Sequence, residues 1–241
     1  MANLARLRMI EELSGFLPVD KPAGIAFATV LKSVKRKFNI VKLGHGGALD
    51  PAASGLFVLL FGDANKFTAS LMGADRSYEG TMRLGLKTDT CDIYGAVLEE
   101  RPVPAPEALA AAAAKAMPEF KGDVFQMEPS RCTVRREGAA GYETADTGPH
   151  KPFLAHVYKF DILAQSGSSL PFSVCATKGL VVRALVDAFG DAVGCGASLE
   201  SLRRVKTGKI DISGAIPFDK LLDMPQEGLL SVVKPASAFL F

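Results

Sequence analysis

Residues 56–61, Leu-Phe-Val-Leu-Leu-Phe, form an apolar run that begins directly behind a glycine-rich loop, residues 44–55. An uninterrupted apolar run of this length, bounded by glycines, reads as a buried strand. The loop before it carries one carboxylate, Asp50, followed by Pro51. Glycine and proline shape a backbone tightly and let another molecule approach it closely. A helix with a cationic face precedes the loop. One acid is thus placed between a positive surface and a rigid buried strand.

The chain has 241 residues, of which 48% are hydrophobic, enough to bury a substantial core. Its formal net charge is only +2, so any nucleic-acid surface must come from local clustering of cations. Cys91, Cys132, Cys175 and Cys195 are widely spaced and contain no CxxC pair. That argues for reduced thiols in a cytoplasmic protein and against a zinc site. The first ten residues hold no long apolar run, so no signal peptide is expected. Nothing approaches the roughly 20 apolar residues of a membrane span. A soluble protein with no membrane partner is expected.

Residues 1–14 read as a short helix or loose arm, and residues 15–22 as a strand that stops at Lys21-Pro22-Ala23-Gly24. Over residues 28–39, Val30, Leu31, Val34 and Phe38 recur at helical spacing, with Lys32, Lys35, Arg36 and Lys37 on the outer face. A cationic helix face is as readily a solvated surface as an RNA contact. A short helix is expected around 66–72, strands at 77–86 and 96–100, and a polar loop at 87–95. Residues 106–117 form an alanine-rich helix with Pro106 in its first turn. Residues 126–152 lack a sustained period and read as a functional insertion. Strands follow at 156–163 and 172–177, a buried helix at 180–193 and another strand from 201. A short helix at 216–222 and an apolar extension end the chain. Strands and helices mix without a regular βαβ beat, which points to an α+β, mixed α/β fold with a largely antiparallel sheet.

Several segments in order resemble bacterial tRNA pseudouridine synthases of the TruB family. They are residues 19–24 (VDKPAG), residues 44–55 with Asp50, Tyr78, and residues 84–95 (LGLKTDTCDIYG). Thr177-Lys178-Gly179 with Arg183, and Leu202-Arg203-Arg204, complete the set. The resemblance covers about residues 15–237. It implies the pseudouridine synthase fold as one catalytic domain over 1–241, a central sheet flanked by helices and a thumb-like insertion at about 126–152. The chain ends near where relatives begin an RNA-binding PUA domain, so a protein without that module is expected.

The resemblance also implies roles. Asp50 is the catalytic aspartate that acts on a uridine flipped out of a tRNA T-stem–loop. It attacks C1′, takes a proton from C2′, or attacks C6 of the base. No cofactor and no metal are needed, because uracil leaves as an anion and returns as a carbon nucleophile. Arg183 matches the arginine that pairs with the acid. Tyr78 matches the tyrosine that stacks on the base, and His45 the histidine that fills the vacated stack. Leu202 lines the uracil pocket. Val181 stands where relatives often carry a base-contacting tyrosine, and Gly46 where they often carry threonine. Lys21 is expected beside the substrate as a structural or phosphate-side residue, and Lys178 is expected beside the substrate as well. Lys32, Lys35, Arg36, Arg131, Arg135, Arg203 and Arg204 are expected on phosphates, which give affinity without reading sequence. Arg136 and Tyr142 belong to the thumb segment.

Taken alone, Asp50 before a proline reads as an ordinary turn residue. A phosphate-binding loop fails on pattern, since there is no G-x-x-x-x-G-K-[ST]. A two-carboxylate glycosidase lacks a second acid placed by motif. A tRNA-folding chaperone remains the alternative of a different class. A cytoplasmic monomer that acts on the T-loop of tRNA is the expectation.

Overall fold

A computed structural model describes residues 13–129, 131–134, 142–148 and 152–240. In chain order the strands are β1 (Gly15–Lys21), β2 (Leu43–His45), β3 (Ser54–Phe61), β4 (Arg76–Leu84), β5 (Leu86–Thr88), β6 (Val97–Glu100) and β7 (Gly122–Gln126). They continue with β8 (Arg131–Val134), β9 (Glu143–Asp146), β10 (Phe153–Ile162), β11 (Ser169–Ala176), β12 (Ala197–Thr207), β13 (Ile210–Asp211) and β14 (Ile216–Pro217). The helices are α1 (Phe27–Phe38), α2 (Thr68–Met72), α3 (Pro106–Ala116), α4 (Val182–Ala192), α5 (Phe218–Asp223), α6 (Gln226–Val232) and α7 (Ser237–Leu240). The architecture is mixed α/β with predominantly antiparallel strand pairing. Among the described residues no helix is long and apolar enough to cross a membrane.

The backbone groups into two compact units, Met1–Ala74 with Arg204–Phe241, and Asp75–Arg203. In the first unit β1 lies between β14 and β3. Its pairing with β3 is antiparallel from Gly15↔Phe61 to Lys21↔Gly55, and its pairing with β14 is parallel. Phe16, Leu56, Val58 and Leu60 pack with Ala64, Leu71 and Ile210. The alternate residues Leu17, Val19, Phe57, Leu59 and Phe61 are buried as well. The apolar run is therefore a strand covered on both faces, as its composition predicts. α1 buries Val30, Val34 and Phe38 and ends at Asn39 in the left-handed conformation, φ 53°.

In the second unit the strand order is β12-β4-β11-β10-β7, antiparallel where β11 meets β4 and where β10 meets β11 and β7. α3 contributes Leu109, Ala113 and Ala116, and α4 contributes Leu185, Val186 and Phe189, to one core with Met82, Phe160 and Phe172. Gly190 lets α4 press onto the start of β12, where a Cβ would come 2.1 Å from the Ala197 nitrogen. β8 and β9 pair as a hairpin within the insertion.

Several features depart from the sequence reading, among them the β8–β9 hairpin in a segment read as lacking a sustained period. The short strands β2 and β7 were not anticipated, and the apolar extension contains helices α6 and α7. Of the arm expected at 1–14, residues 1–12 lie outside the described residues.

Candidate active site

Asp50 belongs to the first unit and is exposed at the end of a loop whose backbone is held at several points. The Gly46 N–H donates to Val58 O (2.9 Å), and the Ala53 N–H donates to Asp50 O (3.1 Å). The Gly24 N–H donates to Pro51 O (2.8 Å). Gly47 has φ 135°, a conformation other residues rarely adopt. Gly46 packs closely against α2. A Cβ there would lie 3.0 Å from Leu71 Cδ1, so the glycine fits the packing of this particular core.

Two buried cations anchor this loop. Arg204, on β12 and 2% exposed, donates from Nε to Leu56 O (2.7 Å), from Nη1 to Ala48 O (2.8 Å) and from Nη2 to Gly47 O (3.2 Å). Lys21, fully buried at the end of β1, donates from Nζ to Pro22 O (2.9 Å), Ile25 O (2.8 Å) and Pro51 O (3.3 Å). Burial pushes the Lys21 ammonium down to about 8; the Asp50 carboxylate opposes that shift and the Arg204 guanidinium adds to it. These positions favour the structural reading of Lys21 over a phosphate contact and correct the expectation that Arg204 meets phosphate. Both side chains are buried and donate inward to main-chain oxygens.

His45, half-buried, stacks on Phe57 with centroids 5.6 Å apart and tilts against Phe27 at 5.1 Å. The Gly47 N–H donates to its Nδ1 (3.2 Å), and burial lowers its proton affinity, helped by the Arg204 charge. The ring is a neutral aromatic surface beside the loop. On α1, Lys32, Lys35 and Arg36 are exposed, as a phosphate-facing surface requires. Lys35, Arg36 and Lys37 also occupy the last turn, where positive charge offsets the helix dipole.

The second unit holds Tyr78 and Arg183. Tyr78 on β4 pairs across to Val174 and packs half-buried against the core. Arg183 lies in the first turn of α4, 6% exposed, and donates from Nη1 to Thr90 O (2.7 Å). The loop that offers this carbonyl is the polar 87–95 segment. Its Thr88 Oγ1 donates to Asp92 O (2.6 Å), Thr90 Oγ1 donates to Asp92 Oδ1 (2.8 Å), and the Tyr94 N–H donates to Asp92 Oδ1 (3.0 Å). Cys91 turns the chain with φ 59°. Burial pushes its thiol up to about 12, and the Asp187 carboxylate adds to the effect, so it is not a nucleophile at neutral pH.

Val181 immediately precedes α4, and its N–H donates to Gln126 Oε1 (3.1 Å). The Gln126 amide also reaches Gly179 O (3.5 Å). Gln126, assigned to the insertion by sequence, is the buried last residue of β7 and fixes the turn that leads to Arg183. Lys178 is exposed on that turn; Leu202 is half-buried against the core, and Arg203 beside it is partly exposed. Arg131 on β8 pairs with the Asp89 carboxylate and donates to Thr144 Oγ1 (3.0 Å). The Tyr142 ring meets Tyr94 at 4.2 Å. The insertion hairpin is thus tied to the 87–95 loop. Arg135, Arg136, His150 and Lys151 lie outside the described residues.

Sequence reasoning quoted the 87–95 motif but gave Thr90 and Asp92 no role. Their signal was a run of short polar side chains inside an otherwise strand-like region, which is how a buried, self-bonded turn reads. Among the described residues no group of three or more His, Cys, Asp or Glu side chains is placed to hold a metal ion.

Comparison with known proteins gives this geometry its family. The TruB family pseudouridylate synthase N-terminal domain model matches residues 35–182, and the tRNA pseudouridylate synthase B C-terminal domain model matches residues 183–240. A tRNA pseudouridine synthase B from Stutzerimonas stutzeri is 35% identical over 95% of this chain and 74% of its own length. One from Burkholderia pseudomallei is 38% identical over 95% of this chain and 76% of its own. Among solved structures, a crystal structure of a Cbf5-Nop10-Gar1 complex aligns with TM-score 0.69 at 22% identity, covering 95% of this chain. This chain spans 62% of that one, and the likeness is one of fold. A family model over more than half the sequence, together with relatives at this identity, means that the chain belongs to the TruB family of pseudouridylate synthases.

Proposed function

We propose that this chain isomerises uridine to pseudouridine in the T-loop of tRNA, at U55, with the Asp50 carboxylate as the catalytic nucleophile or base. The observation that carries the reading is the Asp50 loop itself: an exposed carboxylate on a backbone anchored before it through Gly47 and Ala48 and after it through Pro51. A reactive group held on a rigid support meets its substrate in one geometry.

The reaction exchanges one glycosidic bond for another. The N1–C1′ bond breaks with its electron pair going to the uracil, and the C5–C1′ bond forms from a uracil pair. The C5 proton is lost while N1 gains one. Nothing is oxidised or reduced, so the reaction calls for no redox cofactor. Asp50 acts at the ribose of a nucleotide extruded from its stack, and Tyr78 and Arg183 match the family's base-stacking tyrosine and acid-pairing arginine. His45 offers a neutral ring for stacking, and α1 supplies exposed cations for phosphates. We take the enzyme to act as a cytoplasmic monomer.

The test is Asp50→Asn against wild type on C5-tritiated tRNA. Tritium release is lost in the variant while the dissociation constant for tRNA stays within about twofold of wild type. Near-normal release from Asp50→Asn would remove the catalytic assignment.

A further inference from the structure

We propose that Arg204 is a positioning residue for the Asp50 loop, a guanidinium staple that fixes the separation of the loop's two limbs and thereby the place of the carboxylate. This rests on the reading that Asp50 is the catalytic nucleophile or base. Arg204 stands next to Arg203 in a pair that reads as phosphate-binding, yet only 2% of its surface is exposed, and its guanidinium donates to three main-chain oxygens. Two of those oxygens, on Gly47 and Ala48, precede Asp50, and the third, on Leu56, follows it. One planar group therefore bridges the entry and exit of the loop.

The chemistry of guanidinium suits this task. Its donors are fixed in one plane, so acceptors that engage Nε, Nη1 and Nη2 together are held at set spacings. An ammonium is one nitrogen on a flexible stem and cannot reach both limbs in the same way. The staple is also independent of the loop's own sequence, because it arrives on β12. A slip of β12 by one residue would turn Arg204 to the opposite face and release the loop. Lys21 and the Gly24 N–H hold Pro51 O on the other side, so Asp50 hangs between two anchored points. A reacting group displaced by about 1 Å loses on the order of 100-fold in rate, which is the scale on which this staple acts.

The experiment compares wild type, Arg204→Lys, Arg204→Gln and Asp50→Asn on tRNA, each below its own melting temperature. It measures the single-turnover rate at saturating RNA, and the tRNA dissociation constant across a salt series. In the two Arg204 variants the single-turnover rate falls about 100-fold, with Lys no better than about tenfold above Gln. Their dissociation constants and salt slopes match wild type. A weakened dissociation constant and shallower salt slope with an unchanged single-turnover rate would identify a phosphate contact and overturn the proposal. An unchanged rate in folded Arg204→Gln overturns it too. If Asp50→Asn is inactive while Arg204→Gln is normal, only this inference fails; if Asp50→Asn is active, the catalytic reading fails first. Should neither Arg204 variant fold, amide exchange in the wild type decides. The Gly46 and Ala53 amides then exchange together with β3, and exchange at the rate of a free turn refutes the staple.

Discussion

Lys21→Met isolates the energetics of the buried ammonium beneath the Asp50 loop. In the folded protein the Lys21 proton is lost near pH 8, against 10.5 for an exposed lysine. At about 1.4 kcal/mol per pH unit, keeping this side chain charged in the interior costs about 3 kcal/mol. The sign follows from proton counting. Below pH 8 the folded and unfolded chains both carry the proton, and the difference between wild type and variant is flat. Between pH 8 and 10.5 the unfolded chain binds the proton and the folded chain does not, so wild-type stability rises with pH relative to Lys21→Met. The gain is about 1.4 kcal/mol at pH 9 and about 2.5 kcal/mol at pH 10. The offset at pH 7 reflects a separate balance, because methionine removes the buried charge but leaves the Pro22 and Ile25 carbonyls without the Nζ donor. Urea unfolding of both proteins from pH 7 to pH 10 at constant ionic strength measures the difference directly, since every other titrating group cancels. A difference that stays constant within about 0.5 kcal/mol across that range would show that Lys21 is not desolvated and would refute the reasoning. Because the Asp50 carboxylate raises the Lys21 proton affinity, Asp50→Asn in the same series brings the onset of the rise below pH 8.

Replacing Lys32, Lys35 and Arg36 of α1 by glutamine weakens tRNA binding and makes its salt dependence shallower by about one per residue that contacts a phosphate, with single-turnover rates at saturating RNA unchanged. Filter binding over a salt series measures it, and a rate loss without an affinity loss would contradict it. Gln126→Ala strips the amide that holds Val181 N and Gly179 O before α4, lowers stability by about 1–3 kcal/mol and, on the role proposed for Arg183 in that helix, slows turnover. Thermal melts and steady-state assays check both effects; a stable variant with a normal rate would show that the turn holds itself.

The elements that set the fold were largely legible because they repeat a pattern. The apolar run of β3 and the helical spacing of Val30, Val34 and Phe38 announced a buried strand and an amphipathic helix. The destinations of the cations were not legible from motif alone, yet strand periodicity held the signal. Leu17, Val19 and Lys21 are alternate residues of β1, and the first two are buried, so Lys21 points into the same interior. Leu202 and Arg204 are likewise alternate residues of β12, and Arg203 faces the other way. Reading adjacent basic residues as one surface patch ignored that alternation. Strand β7 was missed because the buried Gln126 is polar and Phe125 is 73% exposed, the reverse of the pattern that marks a half-buried strand.

The division of the cations bears on how salt acts on this enzyme. A loop without a regular ladder leaves main-chain oxygens to be satisfied, and a side chain with several donors settles more than one of them at a time. Lys21 and Arg204 do this for Pro51, Gly47, Ala48 and Leu56, and being buried they are little screened by dissolved ions. Lys32, Lys35 and Arg36 are in water, where their attraction for phosphate falls as ionic strength rises. With a formal charge of only +2 on the whole chain, the outward potential cannot be a general property of the molecule and must be concentrated at exposed groups such as these. On the proposed role of α1 in holding RNA, salt acts on docking and not on the geometry of the loop. A salt-sensitive affinity alongside a salt-insensitive chemical step is the signature of cations placed at two depths for two purposes.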